Sequence, residues 1–213
     1  MISKLHYITQ GATPEQHLTC VQKACASGAD WIQLRLKGFE EAVVLQTAIK
    51  ARAITAHFQT RLLINDYYKV AKAVEADGVH LGKTDACPLE ARNFLGNLFT
   101  IGGTANTLQD CVNLIAKKVD YIGLGPYKFT KTKKNLSPVL GLAGYKVITE
   151  ELATEIPIIA IGGITIEDVP ELIKTGVHGI ALSQEITNDF NRIQELSRLL
   201  QMGSTQEQQF KMK

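Results

Sequence analysis

The sequence is short of the features that announce most ligand classes. No apolar run approaches the roughly 20 residues an apolar helix needs to cross a bilayer. The opening MISKLHYITQG has no apolar core of the kind that marks a secretory signal, so a cytoplasmic protein is expected. Cysteine is scarce. Cys20, Cys25, Cys87 and Cys111 form no C-x-x-C and no metal-type spacing with histidine, which argues against a disulfide framework or a common zinc site and for reduced thiols. Charge of one sign is also lacking: 23 Lys and Arg against 21 Asp and Glu leave +2. That is too little to draw nucleic acid or an anionic membrane by long-range field, and neither is expected as a partner. No G-x-G-x-x-G follows the first apolar stretch, and no Ser/His/Asp set shows itself.

What is present is a regular alternation. Eight short β-rich runs stand out: Leu5 to Thr9, Trp31 to Leu36, Arg61 to Asp66, Gly78 to Gly82, Phe99 to Thr104, Tyr121 to Pro126, Pro157 to Gly162 and Gly179 to Ser183. Between them lie stretches with apolar residues at helical spacing, including PEQHLTCVQKACAS, EEAVVLQTAIKARAITAHF, TLQDCVNLIAKK and TIEDVPELIKTG. Strands that alternate strictly with helices run parallel and are joined by right-handed crossovers. Eight such repeats in 213 residues predict a single-domain (β/α)8 TIM barrel rather than an open doubly wound sheet. The barrel is expected over residues 1–202, with 203–213, polar and without periodicity, as a frayed tail. The oligomeric state stays open, a homo-oligomer included.

In such a barrel the chemistry sits at the C-terminal ends of the strands. Strand two carries Gln33, Arg35 and Lys37 in alternation, so all three side chains point to one side. Strand three ends in Asn65 and Asp66, Asp85 follows strand four, and Thr104 ends strand five. Strand six opens into Thr130, Thr132 and Lys133, strand seven into Gly162 and Gly163, and strand eight into Ser183. Each has a plainer reading. Asp85 ahead of ACPLEAR suits a helix N-cap or a turn residue, Gly162-Gly163 suits a turn, and Lys128, Lys131, Lys133 and Lys134 taken alone suit a solvated face. His80 reads as a packed strand histidine before it reads as a catalyst.

The alternation of Gln33, Arg35 and Lys37 is harder to explain away, because cations inside a small barrel are costly unless something pairs with them. Two cations at one mouth predict an anion. Arginine, lysine, hydroxyls and glycine amides are phosphate donors, and Gly163 and Ser183 fall where barrels often hold a phosphate. Asp66 and Asp85 are hard oxygen ligands without a His or Cys beside them, which suits Mg²⁺.

These residues resemble the thiamine-phosphate synthase family. The resemblance runs from Leu5 to about Ile186 through QLRLK, LLINDY, ADGVHLGKTD, DYIGLGPYKFTKTKK, IPIIAIGGIT and GIALSQEI, in order. It implies a transferase that joins 4-amino-2-methyl-5-hydroxymethylpyrimidine diphosphate to 4-methyl-5-(2-hydroxyethyl)thiazole phosphate, giving thiamine phosphate and diphosphate. By that resemblance Gln33, Arg35, Lys37, Asn65, Thr104 and Lys133 surround the pyrimidine diphosphate. Asp66 and Asp85 hold Mg²⁺, and Thr130, Thr132, Gly163 and Ser183 meet the thiazole phosphate. Arg35, Lys37 and Lys133 are expected to stabilise the leaving group.

The sequence departs from the family pattern at Asn106, where a histidine is usual, at Lys83, where Gln is usual, and in YKFTKTK. The alternatives are a thiazole tautomerase-like isomerase or a non-catalytic thiazole-phosphate-binding paralogue. The first would use the missing histidine, and the second would have lost a charged diphosphate ligand that is present here.

Overall fold

The computed structural model describes residues 1–129 and 138–210, with side chains through 201. Each of the eight strand runs forms a strand within one or two residues of its expected ends. They are β1 (Leu5–Ile8), β2 (Trp31–Leu34), β3 (Arg61–Asn65), β4 (Gly78–Leu81), β5 (Thr100–Ala105), β6 (Tyr121–Leu124), β7 (Ile158–Ile161) and β8 (Gly179–Leu182). All neighbours pair in parallel, and β8 returns to β1 with Leu5 opposite Ile180, so the sheet closes as the expected barrel.

The connecting helices are α1 (Pro14–Ala26), α2 (Glu41–His57), α3 (Tyr68–Ala73), α4 (Pro88–Leu95), α5 (Leu108–Ala116), α6 (Gly141–Leu152), α7 (Val169–Ile173), α8 (Gln184–Asn188) and α9 (Arg192–Phe210). A 3₁₀ turn at Ile166–Asp168 precedes α7. Local chemistry sets their starts. Thr13 caps α1 by accepting from the Gln16 amide, with Pro14 in the first turn, and Thr107 and Asp110 form a reciprocal capping box on α5. The backbone of α9 stays helical to Phe210, past Gly203, where a frayed tail was expected. The Gln- and Glu-rich run there has good helix propensity, which outweighs its lack of an apolar stripe. No helix among the described residues is long and apolar enough to cross a membrane.

Strand periodicity divides the core in two. Outward-facing Ile32, Leu34, Leu62, Ile64, Val79 and Ile122 pack under the helices, against residues such as Val21, Ala24, Val44, Ala48 and Ala51. Cys20, Cys25 and Cys111 belong to this layer and Cys87 is exposed; all four are free thiols.

Inward-facing Ile8, Trp31, Leu63, Tyr121, Ile159 and Ala181 fill the barrel itself. Full burial of each aliphatic side chain such as Ile8, Leu63 or Ile159 contributes on the order of 1.5–3 kcal/mol. His6 stacks on Trp31 with ring centroids 4.5 Å apart, and Tyr121 meets both rings edge-on. Tyr121 can cross the barrel because residue 102 is glycine: a Cβ there would lie 2.1 Å from the Tyr121 Cζ. This filled floor closes the barrel interior below the mouth at which the strands terminate.

Candidate active site

The cavity at the C-terminal mouth has a volume of about 350 Å³ and gathers residues from all eight strand ends. A more open hollow of about 610 Å³, lined by Arg61, Lys72, Asp77 and Phe99, lies at the opposite rim. In this architecture that rim carries stability rather than chemistry.

Gln33, Arg35 and Lys37 all line the mouth, as expected, but strand two was expected to carry all three and it ends at Leu34, so Arg35 and Lys37 come from the segment that leaves it. Gln33 is buried, and its Nε2 donates to the Asn65 Oδ1 at 2.7 Å. That bond turns the Asn65 Nδ2 towards no acceptor among the described residues, although the atom is buried. An unmet buried donor costs about 1–3 kcal/mol, and this one lies in the lining of the cavity. Arg35 makes no side-chain hydrogen bond or ion pair among the described residues. Burial lowers its pKa while Asp66 opposes that, and a guanidinium keeps its charge regardless. Lys37 is half exposed and pairs with the Asp66 carboxylate.

Asp66 follows β3 with a φ of +67°, a left-handed backbone that Asp tolerates better than most side chains. Its amide donates to the His80 carbonyl at 2.8 Å, which fixes the turn to β4. Burial, together with the neighbouring Asp85 carboxyl, pushes Asp66 up to about 6 against the pull of Lys37. Burial works against ionised Asp85 too. The Asp66 hydrogen bond, the Gly82 amide at 2.7 Å and the Lys37 charge nevertheless hold it below the usual carboxylate range. The N-cap reading of Asp85 fails, because Cys87 occupies the cap of α4.

Two carboxyl groups crowded until one resists ionisation form a site that a dication relieves. Among the described residues no third His, Cys, Asp or Glu joins them, so the donor set is two carboxyl groups. That fits a hard ion such as Mg²⁺, which completes its shell from water and substrate phosphate and binds no all-protein cage.

Thr104 lies in the mouth with its Oγ1 2.9 Å from the His80 Nε2, and the His80 Nδ1 is 2.9 Å from the Tyr121 hydroxyl. His80 thus faces the interior and is also packed there, both ring nitrogens engaged. Asn106 is buried and donates its side-chain amide to the Gly125 carbonyl. Lys83 pairs at 2.8 Å with Asp110, the residue that also caps α5 and accepts from the Asn106 amide, so its charge is spent on a structural carboxylate.

Across the cavity, Gly162 and Gly163 turn the chain with φ of +94° and +69°. A Cβ on Gly163 would come within 2.9 Å of the Lys128 and Phe129 carbonyl oxygens, so neither its backbone angle nor its surroundings admit a side chain. Ser183 donates to the Gln10 Oε1 at 3.2 Å. Lys128 pairs with Asp168 at 2.6 Å, so this member of the lysine-rich loop packs onto the 3₁₀ turn. Thr130, Thr132 and Lys133 lie outside the described residues.

The strand-end reading missed Gln10, Glu185 and Asn188, which also line the cavity. Gln10 directly follows Thr9 at the end of β1, and the strand-end rule applied there would have found it. Nothing in the sequence marks Glu185 and Asn188, which come from a helix only five residues long.

Comparison with known proteins agrees with this geometry. A family model described as thiamine monophosphate synthase matches residues 5–186. The chain is 44% identical over 202 residues to a thiamine-phosphate synthase of Flavobacterium psychrophilum, covering 93% of this chain and 98% of that one. It is 43% identical to another of Bacteroides fragilis, covering 92% and 98%. Among solved structures, a thiamine phosphate pyrophosphorylase from Pyrococcus furiosus superimposes with a TM-score of 0.79 at 28% identity, covering 95% and 96% of the two chains.

Proposed function

Since the chain belongs to the thiamine monophosphate synthase family and is a transferase that forms thiamine phosphate, we propose that its barrel mouth joins 4-amino-2-methyl-5-hydroxymethylpyrimidine diphosphate to 4-methyl-5-(2-hydroxyethyl)thiazole phosphate, with release of diphosphate. The observation that carries this assignment is the asymmetry of the cavity. One wall holds Arg35, Lys37, the unmatched Asn65 amide and the Asp66–Asp85 pair; the other holds Gly162-Gly163 and Ser183.

The first wall is assigned to the pyrimidine diphosphate, bound by Gln33, Arg35, Lys37, Asn65 and Thr104 and joined by Lys133 from the loop. The Asn65 Nδ2 finds its acceptor on the ligand. The second wall is assigned to the thiazole phosphate, through Gly163, Ser183, Thr130 and Thr132. Asp66 and Asp85 would hold Mg²⁺, which supplies charge neutralisation to the diphosphate when bound.

Breaking the C–O bond leaves its electron pair on the diphosphate and a cation on the pyrimidine methylene, which the ring amino group stabilises. The thiazole nitrogen then forms the new C–N bond with a lone pair and carries no proton to remove. The chain therefore needs fixed positive charge for the leaving group and no general base. The site matches this: Arg35 and Lys37 converge, both nitrogens of His80 are engaged, and Asn106 stands where an acid or base would be.

Calorimetric titration of each substrate tests the division of the cavity. Arg35→Ala is expected to weaken the pyrimidine diphosphate by about tenfold or more and the thiazole phosphate by less than about twofold, with Ser183→Ala showing the reverse. Equal losses for both ligands in either variant would contradict it.

A further inference from the structure

His17 is a buried histidine on α1 that plays no part in the reaction described above, and its hydrogen bonds select one neutral tautomer. The β1–β2 ladder ends where the Thr9 amide donates to the Gln33 carbonyl at 3.0 Å. Beyond it, the Arg35 amide donates at 3.1 Å to the Thr9 hydroxyl oxygen. The Gly11 carbonyl, 3.2 Å from the His17 Nε2, can only accept, so that nitrogen carries the proton. In the neutral imidazole the Nδ1 is then left as the acceptor. It takes the Thr9 hydroxyl proton at 2.8 Å, while the Thr9 oxygen accepts from the Arg35 amide. Burial, with the charge of Arg35 beside it and against the Gly11 carbonyl, lowers the pKa of this imidazole and favours the neutral form the chain of bonds requires.

We infer that Thr9 and His17 are positioning residues for the reaction: they fix the backbone of Arg35 and, through it, the guanidinium that meets the diphosphate. This rests on the diphosphate assignment of Arg35 given above. The chain of bonds spans Thr9 to Gly11 and so fastens the loop that carries Gln10, the acceptor of the Ser183 hydroxyl. The Cys20 thiol adds a contact at 3.5 Å to the Gln10 carbonyl. Without the Thr9 hydroxyl, the Arg35 amide would be left without an acceptor at the point where β2 leaves the sheet, and it would regain one only by moving towards water.

Two measurements test this. The tautomer of His17 is read in the resting wild-type enzyme from long-range proton–nitrogen correlation of the imidazoles, assigned by the signal lost in His17→Gln. The neutral Nε2–H form is expected, and the Nδ1–H or the doubly protonated form at neutral pH overturns the inference. Inorganic diphosphate with Mg²⁺, and separately the thiazole phosphate, are then titrated into Thr9→Val and Thr9→Ser.

Thr9→Val should weaken diphosphate by about tenfold and the thiazole phosphate by less than about twofold, while Thr9→Ser, which keeps the hydroxyl, restores diphosphate binding. Parallel losses of both ligands, no loss of either, or failure of Thr9→Ser to restore binding would overturn it. If the wild-type enzyme formed no thiamine phosphate, the proposed function would fail, while the tautomer and the diphosphate titration would still decide this inference.

Discussion

The Gln33 side-chain amide donates to the Asn65 Oδ1 at 2.7 Å, and the other end of Asn65, its Nδ2, is buried without an acceptor among the described residues. Binding strength and resting stability are opposed at this pair. The double variant Gln33→Met/Asn65→Leu removes an unmet donor and fills the space with apolar atoms. It should unfold at the same or a higher denaturant concentration than wild type, while binding the pyrimidine diphosphate about 5- to 100-fold more weakly. Chemical denaturation and calorimetry on the same samples check both halves.

Asp66 and Asp85 predict the same opposition with charge. Replacing a carboxyl that resists ionisation should cost the resting fold little, so Asp66→Asn is expected to keep the wild-type unfolding midpoint. It should reduce Mg²⁺-dependent turnover by about 100-fold or more and shift the Mg²⁺ activation curve to higher concentration. Near-normal turnover in both Asp66→Asn and Asp85→Asn would remove the metal assignment.

Gly163→Ala places a methyl group against two carbonyl oxygens at a φ of +69°. The expected cost is roughly 1–3 kcal/mol of stability. Thiazole phosphate binding should be lost out of proportion to pyrimidine diphosphate binding, because the turn would have to shift on the side of the cavity assigned to thiazole. Titration of the two ligands into a folded sample separates these effects.

Acid should destabilise the barrel through His6. Burial between Trp31 and Tyr121 pushes its pKa down to about 3, with the Ser3 carbonyl opposing and His80 and His178 adding to the effect. In the unfolded chain the group titrates near about 6.5. Between those values the unfolded state binds a proton that the folded state refuses, so stability is complete above about pH 6.5 and falls steadily as pH drops towards 3. One group of this kind removes about 2 kcal/mol by pH 5. Urea midpoints at pH 7 and pH 5 should therefore diverge more in wild type than in His6→Phe, and equal divergence would refute the assignment.

Lys83 replaces a residue usual in the family, yet its ion pair with Asp110 is half exposed and faces the α5 cap. Lys83→Gln should cost under about 1 kcal/mol and leave turnover within about threefold. A larger loss of turnover in a steady-state assay would place Lys83 in the site.

The barrel was legible because the eight β-rich runs are separated by stretches of which several show helical spacing, and the β2 side of the cavity because Gln33, Arg35 and Lys37 follow one another at every second residue through the strand end. Other features depend on distances that periodicity does not encode. That Asp85 leans on Asp66, that Asn65 is held by Gln33, and that Asn106 clasps Gly125 are all contacts between separate strand ends. The short helices α3 and α8, of six and five residues, carry too few turns to show a period of their own. His17 lies in a helical stretch, and nothing in its spacing marks it. Only the fold shows that it closes a chain of hydrogen bonds to Arg35.

The most direct measurement combines the purified protein with the pyrimidine diphosphate, the thiazole phosphate and Mg²⁺, and follows thiamine phosphate and released diphosphate together. The account predicts equimolar formation of both, abolished by a chelator and restored by added Mg²⁺. Saturable binding of both substrates with no thiamine phosphate formed, or turnover indifferent to the chelator, would contradict it.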